Sequence, residues 1–160
     1  MLNKTIIAAL LALAGTAQAQ TAGCTCDTGA ARTADATALA SLLGNRMVCG
    51  NVGGEVWQEW HNGSSSGPIV DYKLGPADPK DPSTTVGSYV VNSNNTVTYS
   101  YGGGGGTYTY DVCYVSTSNT YTFCGANYAG RNITGVRVGG SRLQSCSGVT
   151  SAVMAVTRKK

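Results

Sequence analysis

Three consecutive stretches decide the fold: Thr96-Val97-Thr98-Tyr99-Ser100-Tyr101, then Thr107-Tyr108-Thr109-Tyr110-Asp111-Val112-Cys113-Tyr114-Val115, then Thr120-Tyr121-Thr122-Phe123-Cys124. Each alternates strictly. Val97, Tyr99 and Tyr101 share one face, as do Tyr108, Tyr110, Val112 and Tyr114, and Tyr121 and Phe123, while threonine and serine dominate the other. A period of two with one aromatic and one hydroxyl face is the pattern of a half-buried antiparallel strand, with the aromatic face turned inward. The links Gly102 to Gly106 and Ser116 to Asn119 are short and turn-forming, so the three stretches read as neighbours in a meander.

The same punctuation continues in both directions. Arg46 to Cys49, Glu55 to His61, Ile69 to Lys73 and Val86 to Val91 precede these strands; Ile133 to Val138 and Val149 to Val156 follow. About nine strands in a meander must close or stack to hide their edges. The expectation is an all-β domain, a small closed up-and-down barrel of eight to nine strands, with a β-sandwich as the alternative. One helix is expected, over Ala38 to Leu43, capped by Asp35 or Thr33 and stopped by Gly44.

The amino terminus reads as an export signal. Lys4 supplies a positive charge, Ile6 to Ala14 are uncharged and apolar, and Ala17-Gln18-Ala19 provides the small residues of a cleavage site. The apolar run is too short for a helix to cross a ~30 Å hydrocarbon core, which takes roughly 20 residues. The organisation expected is therefore a signal peptide over 1–19, an extended arm over 20–35 and a single β domain over 36–160. The product is secreted or periplasmic, with no membrane span after cleavage.

All six cysteines, Cys24, Cys26, Cys49, Cys113, Cys124 and Cys146, lie beyond the signal, so disulfides are the default in an oxidising compartment. With one histidine and no C-x-x-C pair, zinc and haem attachment are not supported, and no metal or cofactor is expected. Cys49 with Cys124 is the favoured bridge, since each follows an apolar run and precedes a glycine. Cys113 and Cys146 then pair with each other or with the Cys24/Cys26 segment. A Cys24 to Cys26 ring is disfavoured by strain.

Charge excludes one class of partner. The chain has 11 basic and 8 acidic residues, its basic residues are scattered apart from the terminal Arg158-Lys159-Lys160, and nothing forms a nucleic-acid footprint.

The chemistry-bearing residues are few. His61 lies near Glu55, Glu59 and Ser64 to Ser66, but no Gly-x-Ser-x-Gly elbow is present and the serines occupy a turn, so the expectation is an exposed histidine at a strand end and no catalytic residue. Glu55 and Glu59 would stand about 13 Å apart along a strand at ~3.3 Å per residue, too far for a glycosidase pair. Asp71, Asp78 and Asp81 lack calcium-loop spacing and read as loop-stiffening turns. The glycine run Gly102 to Gly106 lacks the Lys-Ser/Thr of a phosphate loop.

The run Asp71-Tyr72-Lys73-Leu74-Gly75-Pro76, with Asp81 to Tyr89, Val97 to Tyr101 and Tyr121 to Cys124, resembles a group of short exported bacterial proteins of uncharacterised function, over roughly Leu42 to Gly125. Gly87-Ser88-Tyr89 is similar to the Gly-x-aromatic strand start of lipocalin-like and avidin-like barrels, which carry Trp where Tyr89 stands. That resemblance implies a barrel and leaves its ligand open.

Aromatic recognition remains. Trp57 and Trp60 point to opposite faces of one strand, and Trp57, Trp60, Tyr72 and Tyr89 are the ligand-binding candidates. The leading expectation is a secreted disulfide-bonded binding module for a small molecule, a glycan or a protein. A self-assembling surface protein, in which the arm adds a strand to a neighbour, and an exported enzyme inhibitor presenting the loop Gly75 to Ser83 are the alternatives.

Overall fold

The computed structural model describes residues 30–32, 35–52, 55–71, 84–125, 132–142 and 146, and for 30–32, 52 and 55–57 the backbone alone. The expected signal peptide, Cys24, Cys26, Tyr72, the loop Gly75 to Ser83 and the strand expected over Val149 to Val156 lie outside them.

Nine strands and one helix follow in order: β1 (Ala30–Arg32), α1 (Ala36–Leu43), β2 (Met47–Val52), β3 (Glu55–His61), β4 (Ser66–Asp71), β5 (Thr84–Val91), β6 (Thr96–Tyr101), β7 (Gly106–Val115), β8 (Thr120–Gly125) and β9 (Asn132–Gly139). From β2 onward each strand pairs antiparallel with the next, and β9 returns to pair with β2. The ring is complete: β2 to β9 form a closed eight-stranded up-and-down barrel. The sandwich alternative is excluded. Closure satisfies the backbone groups that an open sheet leaves bare.

Strand β1 is an addition to this ring. Strand β7 has ten residues; β6 pairs with Gly106 to Asp111, and Ala30, Ala31 and Arg32 pair with Val115, Tyr114 and Cys113. The amino-terminal segment thus covers the length of β7 that β6 is too short to reach.

The alternation of the sequence becomes an inside and an outside. Val48, Ile69, Tyr89, Val97, Tyr99, Val112, Tyr121, Phe123, Val136 and Val138 form the interior with Leu39, Leu42 and Leu43 of α1. Outside, Thr98 and Thr109 hydrogen-bond at 2.9 Å and the Thr107 hydroxyl reaches Ser100 at 3.3 Å. A barrel facing lipid has the reverse polarity, with an apolar outer band. No helix among the described residues is long and apolar enough to cross a membrane.

Helix α1 closes one end. Asp35 caps it, its Oδ1 accepting from the Ala38 N–H at 2.8 Å, and Leu39, Leu42 and Leu43 form one apolar stripe. Each leucine buried this completely contributes about 1.5–3 kcal/mol. Gly44 ends the helix where a Cβ would collide with the Ser64 carbonyl, so only glycine lets the helix seat against the β3–β4 turn. Asn45 then donates to the Gly63 carbonyl at 2.8 Å and His61 N–H to the Arg46 carbonyl at 2.9 Å.

A second, smaller core lies on the outer face of β2 to β4, where Met47, Cys49, Val70 and Cys146 pack with half-buried Trp60. Cys146 is anchored twice. Its N–H donates to Gln58 Oε1 at 3.0 Å and its sulfur is bonded to Cys49, 97 positions away, with Cα atoms 5.6 Å apart. The bridge expected from Cys49 to Cys124 is therefore corrected to Cys49–Cys146. Cys49 lies on β2 and Cys124 on β8, with β9 between them. Two inter-strand spacings separate them by about 10 Å, beyond the reach of a disulfide. The idea that Cys113 pairs with Cys146 falls with it. Cys113 and Cys124 are each disulfide-bonded, but not to one another, their sulfurs lying 3.9 Å apart.

Candidate functional site

Inside the barrel, polar side chains collect in a line running away from α1. Strand β3 turns Gln58 and Trp60 outward and sends Glu59 and His61 into the interior, as the pleat requires. His61 is fully buried, which corrects the expectation of an exposed histidine at a strand end. The strand end is real, but α1 covers it. Its ring stacks on Tyr89 at 4.3 Å between centroids and lies 5.4 Å from that of Tyr99.

Burial sets the protonation of these groups. Desolvation lowers the His61 pKa to about 3, with the Leu43 backbone pulling the other way without overcoming it, so the imidazole is neutral. No hydrogen-bond partner of good geometry meets either ring nitrogen, or the hydroxyl of Tyr99. Tyr99 is 3% exposed, in an aromatic nest with Tyr101, Tyr110 and Phe123 at centroid distances of 6.4, 5.8 and 6.3 Å. The Tyr89 hydroxyl, by contrast, donates to the Gly63 carbonyl at 2.7 Å, fastening β5 to the β3–β4 turn beneath the helix.

Farther from α1 stands a carboxyl pair. The β3–β4 register sets Glu59 directly opposite Asp71. Like charges in facing positions destabilise a sheet. Desolvation raises the Glu59 pKa to about 7, a hydrogen bond from Tyr101 opposes the rise and the charge of Asp71 adds to it. The Tyr101 hydroxyl lies 3.0 Å from both Glu59 oxygens. Its own pKa is driven far up by burial and by the Glu59 carboxylate, as is that of Tyr99 by burial first and then by Tyr101 and Glu59, so both phenols stay protonated. Near neutral pH Glu59 is poised between its charged and uncharged forms.

The four aromatic candidates are not assembled into one site. Tyr89 faces the interior and Trp60 packs on the outer surface of the wall, against Met47, Cys49, Val70 and Cys146. Trp57 is described by its backbone alone, and Tyr72 is outside the described residues. The residues gathered inside are instead Glu59, Asp71, Tyr99, Tyr101 and His61. Alternation placed Tyr99 and Tyr101 on an inward face in the sequence itself, whereas which face of β3 turns inward, and the Glu59–Asp71 pairing, depend on ring closure and a register that no local signal specifies. No group of three or more metal-ligating side chains exists among the described residues.

The arrangement offers hydrogen-bonding atoms and a titrating carboxyl to something held within aromatic walls. No nucleophile with an adjacent base accompanies them among these residues. Comparison with known proteins finds no matching family model, no matching curated relative and no matching solved structure.

Proposed function

We propose that this protein is an exported, disulfide-bonded binding module that holds one small ligand inside its barrel. One observation carries the reading: polar groups without a structural duty are buried in the interior. A barrel needing only stability would fill that space with apolar side chains. Here the carboxyl of Glu59 is buried, and the Tyr99 hydroxyl and both His61 nitrogens have no hydrogen-bond partner of good geometry. Burying such groups costs free energy, about 1–3 kcal/mol for each neutral one left unsatisfied.

Export is supported by the leader-like amino terminus and by the disulfide between Cys49 and Cys146. The resemblance to lipocalin-like and avidin-like barrels stands as part of this proposal. Closure of the ring weighs against the self-assembling alternative, which draws on free strand edges. The inhibitor alternative rests on the loop Gly75 to Ser83, outside the described residues.

The test is native mass spectrometry of protein isolated from the secreted fraction of its own host, before and after denaturation. A mass excess lost on denaturation supports the carrier reading. A clean monomer that also fails to bind any member of a small-molecule panel overturns it.

A further inference from the structure

We propose that Cys113 and Cys124 are the centre of a reductive release switch: one two-electron reduction by a dithiol exchanges the two disulfides that hold the amino-terminal arm for a single Cys113–Cys124 bond, and so frees the arm. The inference concerns the outer wall of the barrel and is independent of what the interior binds.

The pairing comes by elimination. Cys113 and Cys124 are each disulfide-bonded, their sulfurs stand 3.9 Å apart and so are not joined to one another, and Cys49 is bonded to Cys146. Of the chain's cysteines only Cys24 and Cys26 remain, so each of the two wall sulfurs holds one of them. Two bridges thus run from the stretch Cys24-Thr25-Cys26 to the paired strands β7 and β8.

The strands decide what these sulfurs can do. Val112, Tyr121 and Phe123 belong to the interior, which turns Cys113 and Cys124 to the outer face. Cys113 stands opposite Thr122 and Cys124 opposite Asp111, so the two cysteines are diagonal neighbours across β7 and β8. Their sulfurs are already in van der Waals contact. Shortening that contact to a bond of ~2.05 Å asks each sulfur to move about 1 Å. Both cysteines are buried, which shields the wall sulfurs from direct attack by an outside thiol.

Atoms and electrons balance along the exchange. A thiolate of the dithiol attacks the arm sulfur of either bridge; that S–S bond breaks and the wall cysteine leaves as a thiolate. The second thiol of the reductant resolves the mixed disulfide, leaving the reductant oxidised and that arm cysteine reduced. The wall thiolate then attacks the sulfur beside it; the Cys113–Cys124 bond forms, and the other arm cysteine departs as a thiolate that takes up a proton. Two protein disulfides and one dithiol become one protein disulfide, one reductant disulfide and two arm thiols. Contact makes the second attack intramolecular, so it outruns another encounter with reductant. Among the described residues the arm otherwise pairs through β1 alone, at Ala30, Ala31 and Arg32, and the ring β2 to β9 closes without it. Release therefore opens the edge of β7 from Cys113 to Val115 and leaves the barrel whole.

The experiment treats the secreted protein under native conditions with graded dithiothreitol, quenches with N-ethylmaleimide and maps the peptides by mass spectrometry. The expected first stable product, formed as one equivalent is consumed, carries maleimide on Cys24 and Cys26, a Cys113–Cys124 disulfide and an intact Cys49–Cys146 bridge. Hydrogen exchange at Ala30 to Arg32 should then rise about tenfold or more while β2 to β6 keep their protection. A first stable product with maleimide on Cys113 or Cys124 and the second arm bridge intact overturns the proposal, as does protection at Ala30 to Arg32 that survives the exchange. Untreated protein in which Cys113 and Cys124 are not bridged to Cys24 and Cys26, or bridges that resist dithiothreitol until the barrel unfolds, overturns it as well.

Discussion

The two ends of the barrel are built on opposite rules. At the α1 end the polar backbone groups are matched: Asp35 caps the helix, Gly44 bonds back to Ala40, Asn45 reaches Gly63, and the Tyr89 hydroxyl fastens the same turn. Leu39, Leu42 and Leu43 fill the remaining space. Away from the helix the interior holds Glu59 against Asp71, with Tyr101 on the carboxyl and the Tyr99 hydroxyl unmatched. Apart from the buried His61 under the helix, whose ring nitrogens are unmatched, the α1 end is built for stability, and the other end gives some of it up, which is how a rigid scaffold carries a functional site.

This contrast can be broken most severely at the closed end. Leu39→Ala leaves a void under the helix and should cost about 2–5 kcal/mol, read by chemical denaturation. Replacing Cys49 and Cys146 together by alanine should cost about 2–4 kcal/mol, because the bridge closes a long loop and fastens the outer core. Tyr89→Phe, which removes only the hydrogen bond to Gly63, should cost about 1 kcal/mol. A ligand held inside the barrel should stabilise all three by the same increment as the parent, since each keeps the interior site, whereas loss of affinity is expected to follow a change at Glu59. The cysteines left over sharpen the same picture: with Cys49 and Cys146 joined and Cys113 and Cys124 not joined to each other, peptide mapping should find the latter two linked to the peptide that carries Cys24 and Cys26.

Much of the framework is legible in the residues. The switch from a helical stripe at Leu39, Leu42 and Leu43 to the Tyr/Thr alternation of β6 to β8 marks α1 and the strands, because both periods are local. Strand β1 is not legible: Ala30-Ala31-Arg32 carries no alternation, and it pairs only because β7 outlasts β6. Strand β4 begins at Ser66, ahead of the expected Ile69, since Ser66 and Gly67 pair with Val90 and Tyr89 across the β4–β5 ladder. The Cys49–Cys146 bridge and the Glu59–Asp71 pair share one reason for escaping a sequence reading. Each depends on which strands become neighbours and in what register, and that is decided by closure of the ring. For His61 the sequence pointed to an exposed strand end; its burial follows from the inward turn of that face of β3 and from its cover, the end of α1, both of them tertiary.

The two buried titrating groups predict the shape of stability against pH. Glu59 ionises at about 7 in the fold against an ordinary 4.5, so its contribution is fully present at low pH and is lost as pH rises between those values. His61 protonates at about 3 in the fold against 6.5, so its contribution is present above 6.5 and is lost as pH falls toward 3. Between about 4.5 and 6.5 the slopes oppose and stability should be nearly flat. Glu59→Gln removes one of them, and the variant's stability should then climb with pH across that window, by at most about 1.4 kcal/mol per pH unit.

The most direct test of the claim that Glu59 serves a ligand and not the fold is the unfolding free energy of the unliganded protein and of Glu59→Gln at about pH 8. Gln keeps an oxygen for the Tyr101 hydroxyl and removes a buried charge facing Asp71, so the variant should be more stable, by on the order of 1–3 kcal/mol. A variant less stable than the parent would show that Glu59 is a structural member of the barrel, and would contradict the account.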